Sequence, residues 1–362
     1  MKKVLFILDN LEGGGAERVF VNIANGFVEN NIAVEILLGK RQGIYLEMVH
    51  PSIRISEVGS THFAGYIRGF SRVFKQNNYS HIFTASHYIS AAAILVKKWS
   101  GISSRIYQTH HYAHPARREL KYWKGDFVLK LLYYFTAPAA DKIIAVSEGS
   151  LQWLRNFSRR KLPQGMVIYN PVFDERIFSL AEEEVDFPIN VNGKTILLNV
   201  GRLTEQKDQL TLIKAFQIYK QQNLNALLFI LGIGPMENEL RNYIKVHNLK
   251  EQVFLMGFEA NPFKWMDKCD VFILSSKYEG FGNVIAEAMA LGKTVVSTDC
   301  PSGPAEILKN GGLGYLCAVN DPAAMANAIG TAVKSQFDPK LLQRSAWQYS
   351  VDNIIKDYID IL

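Results

Sequence analysis

Residues 271–289 read VFILSSKYEGFGNVIAEAM. The run Val271–Leu274 is short, apolar and rich in β-formers, so it predicts a buried strand ending near Ser276. Two glycines, Gly280 and Gly282, mark a loop. An apolar helical pattern then begins, with Asn283 placed to act as its N-cap. The unit is strand, glycine loop, helix. Two carboxylates bracket the loop: Glu279 just past the strand and Glu287 one turn inside the helix.

The same unit recurs along the chain. KVLFIL, AVEILLG, HIFTAS, RIYQTH and KIIAVS predict strands in the first half, and TILLNVG, ALLFILG, VFLMGF, VFILSS and TVVSTD in the second. They are apolar on both faces, as parallel strands covered by helices must be. Amphipathic patterns such as AERVFVNIANGFVENN and DQLTLIKAFQIYKQQ lie between them. This alternation predicts an α/β fold of two doubly wound, Rossmann-like units. A length of 362 residues accommodates two domains, and 48% apolar with 20% charged residues is the balance of a globular chain. The pattern weakens at 173–194, FDERIFSLAEEEVDFPINVNGK, which reads as the interdomain connection. The expected division is a first domain over 1–175 and a second over 176–339, with a terminal helix at 340–362 packing back on the first. Ligands bind beyond the carboxyl ends of such strands, so two facing units are expected to leave a cleft between them.

Several chemistries lack their residues. The sequence has no phosphate loop of the G-x-x-x-x-G-K-[ST] type, no G-x-S-x-G, no D-x-D and no His/Asp cluster at metal spacing. GIGPME at 232–237 lacks the third glycine of a dinucleotide fingerprint. Three scattered cysteines point to a reducing compartment. The opening MKKVLFILDN breaks at Asp9, short of the ~7–15 apolar residues of a signal core. No run approaches the ~18 apolar residues of a membrane span. The expectation is a cytoplasmic protein. A net charge of +6 favours anionic partners, but no basic-aromatic module for nucleic acid is present.

What remains is suited to phosphate and sugar. In KVLFILDNLEGGGAERVF, Gly13, Gly14 and Gly15 separate a strand from a helix whose N-terminus offers free N–H groups, or they form a tight turn. In NVGRLTEQKDQ, Arg202 and Lys207 project from a strand's carboxyl end and make a diphosphate clamp, or two solvated surface cations. In the 279–282 loop, backbone N–H groups can meet an anion. Glu279 can accept hydrogen bonds from sugar hydroxyls and Glu287 from the vicinal hydroxyls of a ribose; as a lone pair they also read as surface acids beside a helix.

GGGAERV, GRLTEQK, YEGFGNVIAEAMALG and DCPSGPAEIL, in this order, resemble the retaining GT-B glycosyltransferases of family four found in lipopolysaccharide, capsule and O-antigen assembly. The resemblance spans nearly the whole chain. It implies a GT-B fold with an N-terminal acceptor domain and a C-terminal nucleotide-sugar domain. It implies that Arg202 and Lys207 bind the diphosphate, Glu279 faces the donor sugar and Glu287 binds the ribose. Phe281, Gly282, Asn283 and Val284 would lie along the sugar and diphosphate, Phe258 would border the base, and Gly14 and Gly15 would face the phosphates across the cleft. A histidine after a first-domain strand is also implied. RIYQTHHYAH offers His110, His111 and His114, of which His110 falls at the strand's end. No metal and no cofactor are expected, because protein cations and helix ends replace D-x-D. UDP-N-acetylhexosamine or UDP-hexose is favoured as donor and a lipid-linked or polysaccharide chain as acceptor. A UDP-sugar epimerase and an inactive nucleotide-sugar-binding subunit share the architecture. Residues 110–135 interleave Arg117, Arg118, Lys121 and Lys124 with aromatics. That is the pattern of an acceptor-side surface on the cytoplasmic face of the inner membrane, although FVLKLLYYF also reads as a core helix.

Overall fold

The computed structural model describes residues 2–111, 134–158 and 165–362. They form two compact units: Met1–Val172 with Val351–Leu362, and Phe173–Ser350.

The first unit is built on a seven-stranded sheet in the order β3-β2-β1-β4-β5-β6-β7. Its strands are β1 (Lys3–Leu8), β2 (Ala33–Leu38), β3 (Arg54–Glu57), β4 (His81–Thr84), β5 (Arg105–His110), β6 (Lys142–Ala145) and β7 (Gly165–Val167). Every pairing is parallel. The doubly apolar run of β1 has a simple cause. Val4, Phe6 and Leu8 enter the core beneath helix Gly15–Glu29, while Leu5 and Ile7 enter the core beneath helices Phe63–Gln76 and His87–Ser100. Successive strand side chains point to opposite faces, and here both are covered.

The second unit carries a six-stranded sheet in the order β10-β9-β8-β11-β12-β13. These strands are β8 (Thr195–Val200), β9 (Ala226–Leu231), β10 (Val253–Gly257), β11 (Val271–Leu274), β12 (Thr294–Thr298) and β13 (Tyr315–Cys317). All pairings between named strands are again parallel. In both sheets the strand order reverses once, between β1 and β4 and between β8 and β11. Such reversal points open a crevice at the carboxyl edge, where α/β folds place ligands.

Three features depart from the sequence expectation. The stretch 173–194 is part of the second unit rather than a free connection. It contains helix Arg176–Ala181, Asn261 Nδ2 donates to the Leu180 carbonyl at 2.7 Å, and Phe187 packs on Phe229 and Trp265. Long-range packing holds it despite its weak periodicity. The segment 340–362 is not one helix on the first domain. Helix Pro339–Ala346 belongs to the second unit, and only Val351–Asp360 joins the first. There Ile354, Ile355 and Tyr358 enter the core under helix Gly15–Glu29, and Tyr107 donates to the Ile361 carbonyl at 2.7 Å. A Cβ at Gly26 would strike the Ile355 side chain, so glycine permits the close approach. Finally, β3, β7 and β13 are strands of three or four residues at sheet edges, too short to show a period.

Candidate functional site

The reversal point of the second sheet brings together loops that are remote in sequence. After β8 come Gly201, Arg202 and Lys207; after β11 come Ser275, Ser276 and Glu279. Lys207 Nζ donates to Glu279 Oε1 at 2.5 Å, and Ser276 Oγ donates to the same oxygen at 2.5 Å. The loops are also stitched through their backbones. Ser275 Oγ donates to the Lys207 carbonyl at 2.7 Å, the Lys277 N–H to the Gln206 carbonyl at 2.8 Å, and Gln206 Nε2 to the Tyr278 carbonyl at 3.0 Å. From β12, Thr298 Oγ1 donates to the Ser276 carbonyl at 2.6 Å. Arg202 is exposed, and Gln209 Nε2 holds its carbonyl at 3.0 Å. Asp208, in the left-handed region at φ +47°, turns the chain from Lys207 into helix Gln209–Lys220 and caps it by accepting from the Thr211 N–H. One cation thus reaches outward and one sits half-buried beside a carboxylate, at a sheet edge suited to an anion.

The loop 279–282 is shaped by two glycines with positive φ. Gly282, at φ +101°, is the N-cap of helix Asn283–Ala290. Asn283 is therefore the first helical residue and not the expected cap, because the sharp left-handed turn needs glycine. Gly303, at φ +93°, lies so close to the Phe281 carbonyl that any Cβ would collide with it. The Phe281 ring packs edge-on to Tyr349, with centroids 5.2 Å apart. Asn283 and Val284 are half-buried at the helix start. Glu279 is 6% exposed and Glu287 1% exposed, so neither is a surface acid. Phe258, just past β10, is 57% exposed.

In the first unit, Gly13 (φ +122°), Gly14 and Gly15 follow β1, and the helix begins at Gly15 with Gly14 as N-cap. The Glu17 carboxylate lies over Gly14, where any Cβ would strike it. This helix start therefore already carries an acidic group, which weakens its attraction for a second anion. His110 ends β5 and is buried, its ring 4.5 Å from that of His87 after β4. Burial, then His87 and His111, hold His110 well below the usual histidine range, so it is neutral at pH 7. His111 is buried with its Nε2 3.1 Å from Thr109 Oγ1, and burial pushes it down to about 4. Arg117, Arg118, Lys121, Lys124 and His114 lie outside the described residues. Among the described residues, no group of three His, Cys, Asp or Glu side chains could hold a metal ion, and no helix is long and apolar enough to cross a membrane.

Ser276, Gln206, Gly303 and His87 were not singled out from the sequence. Gln206 and Gly303 lie inside the motifs GRLTEQK and DCPSGPAEIL, and Ser276 lies three positions before Glu279 at the end of an apolar run.

Residues 13–176 match Glycosyltransferase Family 4, and residues 181–348 match Glycosyl transferases group 1. A Campylobacter jejuni protein named N-acetylgalactosamine-N,N'-diacetylbacillosaminyl-diphospho-undecaprenol 4-alpha-N-acetylgalactosaminyltransferase is 35% identical over 58% of this chain and 54% of its own length. The chain thus spans about half the length of that relative. The amylovoran biosynthesis glycosyltransferase AmsD of Erwinia amylovora is 23% identical over the full length of both chains. The fold matches the crystal structure of Anabaena Alr3699/HepE in complex with UDP and glucose, with a TM-score of 0.80 and 21% identity over 100% of this chain and 99% of that one. With two parallel sheets and two adjacent glycosyltransferase family matches that together run from residue 13 to residue 348, the chain belongs to the GT-B glycosyltransferases of family four.

Proposed function

We propose that the protein is a retaining, metal-independent glycosyltransferase. It moves a hexose or N-acetylhexosamine from a UDP-sugar to a lipid-linked or polysaccharide acceptor in cell-surface glycan assembly. The observation that carries this reading is the cluster at the β8/β11 reversal point, where Lys207, Glu279 and Ser276 converge beside exposed Arg202. Arg202 and Lys207 bind the diphosphate and stabilise the charge that grows on it as the sugar leaves. Glu279 holds sugar hydroxyls and Glu287 the ribose. The backbone from Phe281 to Val284 follows the ligand, and Phe258 borders the base. Gly14 and Gly15 are assigned to phosphate, against the weakening effect of the Glu17 carboxylate at the same helix start, and His110, neutral at pH 7, to hydrogen bonding with the sugar or acceptor.

Glu279 is assigned to the sugar hydroxyls and Glu287 to the ribose, which leaves neither as a nucleophile toward the anomeric carbon. We therefore assign front-face displacement. The bond from the anomeric carbon to the diphosphate oxygen breaks. The acceptor oxygen bonds to the same face of that carbon, and its proton passes to the departing diphosphate oxygen. The Campylobacter relative, whose name specifies a diphospho-undecaprenol acceptor, supports a lipid diphosphate as acceptor and an N-acetylhexosamine as donor sugar. With such an acceptor we assign the enzyme to the cytoplasmic face of the inner membrane, where Arg117, Arg118, Lys121 and Lys124 suit anionic headgroups.

The test is incubation with a panel of nucleotide sugars and a polyprenyl-diphosphate-linked saccharide, with NMR assignment of the product anomer. Transfer with retention is expected. Conversion of the donor without acceptor would identify an epimerase, and binding without turnover a non-catalytic subunit. Flotation with anionic liposomes is expected and should fall when the four cations are changed to serine.

A further inference from the structure

Lys207 and Glu279 are assigned to different parts of the donor, yet here they are partners of one another. Their side chains are 19% and 7% exposed, the ammonium is 2.5 Å from Oε1, and fully buried Ser276 holds that same oxygen from another side. The backbone on both sides is pinned, at the Lys207 carbonyl by Ser275 and at the Ser276 carbonyl by Thr298. Neither loop needs to move for the side chains to exchange partners. Lys207 ends in three donors on a flexible stem, so its ammonium can turn to a new acceptor. A carboxylate offers one negative charge, whereas a nucleoside diphosphate brings at least two.

We propose that Glu279 is the counter-ion of Lys207 before the donor binds, that a diphosphate displaces it, and that Ser276 is the positioning residue that keeps the freed carboxylate aimed at the sugar. This rests on the donor-site reading above. Donor binding is then an exchange: the diphosphate takes Lys207, Ser276 retains Glu279, and the carboxylate turns from a cation to sugar hydroxyls. After transfer, Glu279 competes again for Lys207 and helps expel the nucleoside diphosphate. The arrangement also keeps a half-buried ammonium neutralised between turnovers.

The test is calorimetric titration of UDP, with GDP, ADP and dTDP as the remaining panel, and of the matching nucleotide sugar. The proteins are wild type, Glu279→Gln, Glu279→Ala and Ser276→Ala. Removing the counter-ion is expected to tighten nucleoside diphosphate binding about fivefold or more, a gain on the scale of an ion pair. Glu279→Ala should show the same gain, which separates loss of the counter-ion from any new amide contact. Ser276→Ala should bind the nucleoside diphosphate within about twofold of wild type but lose about tenfold in nucleotide-sugar affinity, the scale of one charge-assisted hydrogen bond. Unchanged or weaker diphosphate binding by both Glu279 variants would overturn the exchange while leaving the donor site standing. Equal losses for both ligands in Ser276→Ala would overturn its positioning role. If no nucleoside diphosphate binds wild type or variant, the donor-site reading falls and the inference with it.

Discussion

Lys207 and Glu279 are 72 positions apart in the chain, yet the ammonium of one lies 2.5 Å from the carboxylate of the other. The contact exists because β8 and β11 are neighbours across the reversal of the sheet. If Glu279 holds the donor sugar, Glu279→Gln should cut transfer by roughly 10- to 200-fold, the cost of a lost charged hydrogen bond. The fold should persist, since glutamine fills the same volume. Steady-state rates beside a thermal melt check this, and near wild-type turnover would remove Glu279 from the sugar site.

Arg202 offers the complementary case. It is exposed and its backbone carbonyl, not its side chain, supports the loop. Arg202→Ala should leave stability within about 0.5 kcal/mol, as for surface substitutions. Donor affinity should weaken about tenfold through loss of a charge-assisted contact to diphosphate. A donor titration and a urea melt on one preparation separate the two effects.

Transfer should survive EDTA, because Arg202 and Lys207 are assigned the leaving-group charge. The check is the initial rate with chelator, and with added Mg²⁺. Complete loss that Mg²⁺ restores would transfer that role to a metal.

Gly303→Ala should be among the most damaging single-methyl changes in the second unit. At φ +93° with the Phe281 carbonyl against it, the added Cβ meets backbone that has no room to yield. Strain and collision together predict about 2 kcal/mol or more of lost stability, together with a displaced 279–282 loop. Urea unfolding and donor binding report the two consequences.

Stability should fall as the pH drops from about 6.5 to about 4. Burial pushes both His81 and His111 from 6.5 down to about 4. Between those values the unfolded chain binds protons that the folded chain refuses, so acid favours unfolding. Each histidine contributes on the order of 3 kcal/mol to this slope at most. The stability is fully present above 6.5 and lost as pH falls toward 4. His81→Gln, which changes none of the residues assigned to the donor, should flatten the dependence, as read from melts at pH 7, 6, 5 and 4.

The strand–helix alternation, the parallel character of both sheets, the glycine loops and the places of Arg202, Lys207, Glu279 and Glu287 along the chain are legible without the structure. These are local properties. A doubly buried strand must be apolar on both faces, and a turn with positive φ selects glycine within a few residues of where it acts. Tertiary structure alone decided the rest. It set β8 beside β11 and so made Lys207 and Glu279 partners. It buried Glu287, brought Ser276 and Thr298 to the site, replaced Asn283 with Gly282 as the helix cap, and divided the terminal segment between the two units. Strand order and packing join residues far apart in the chain, and no local period records which remote surface a side chain will meet.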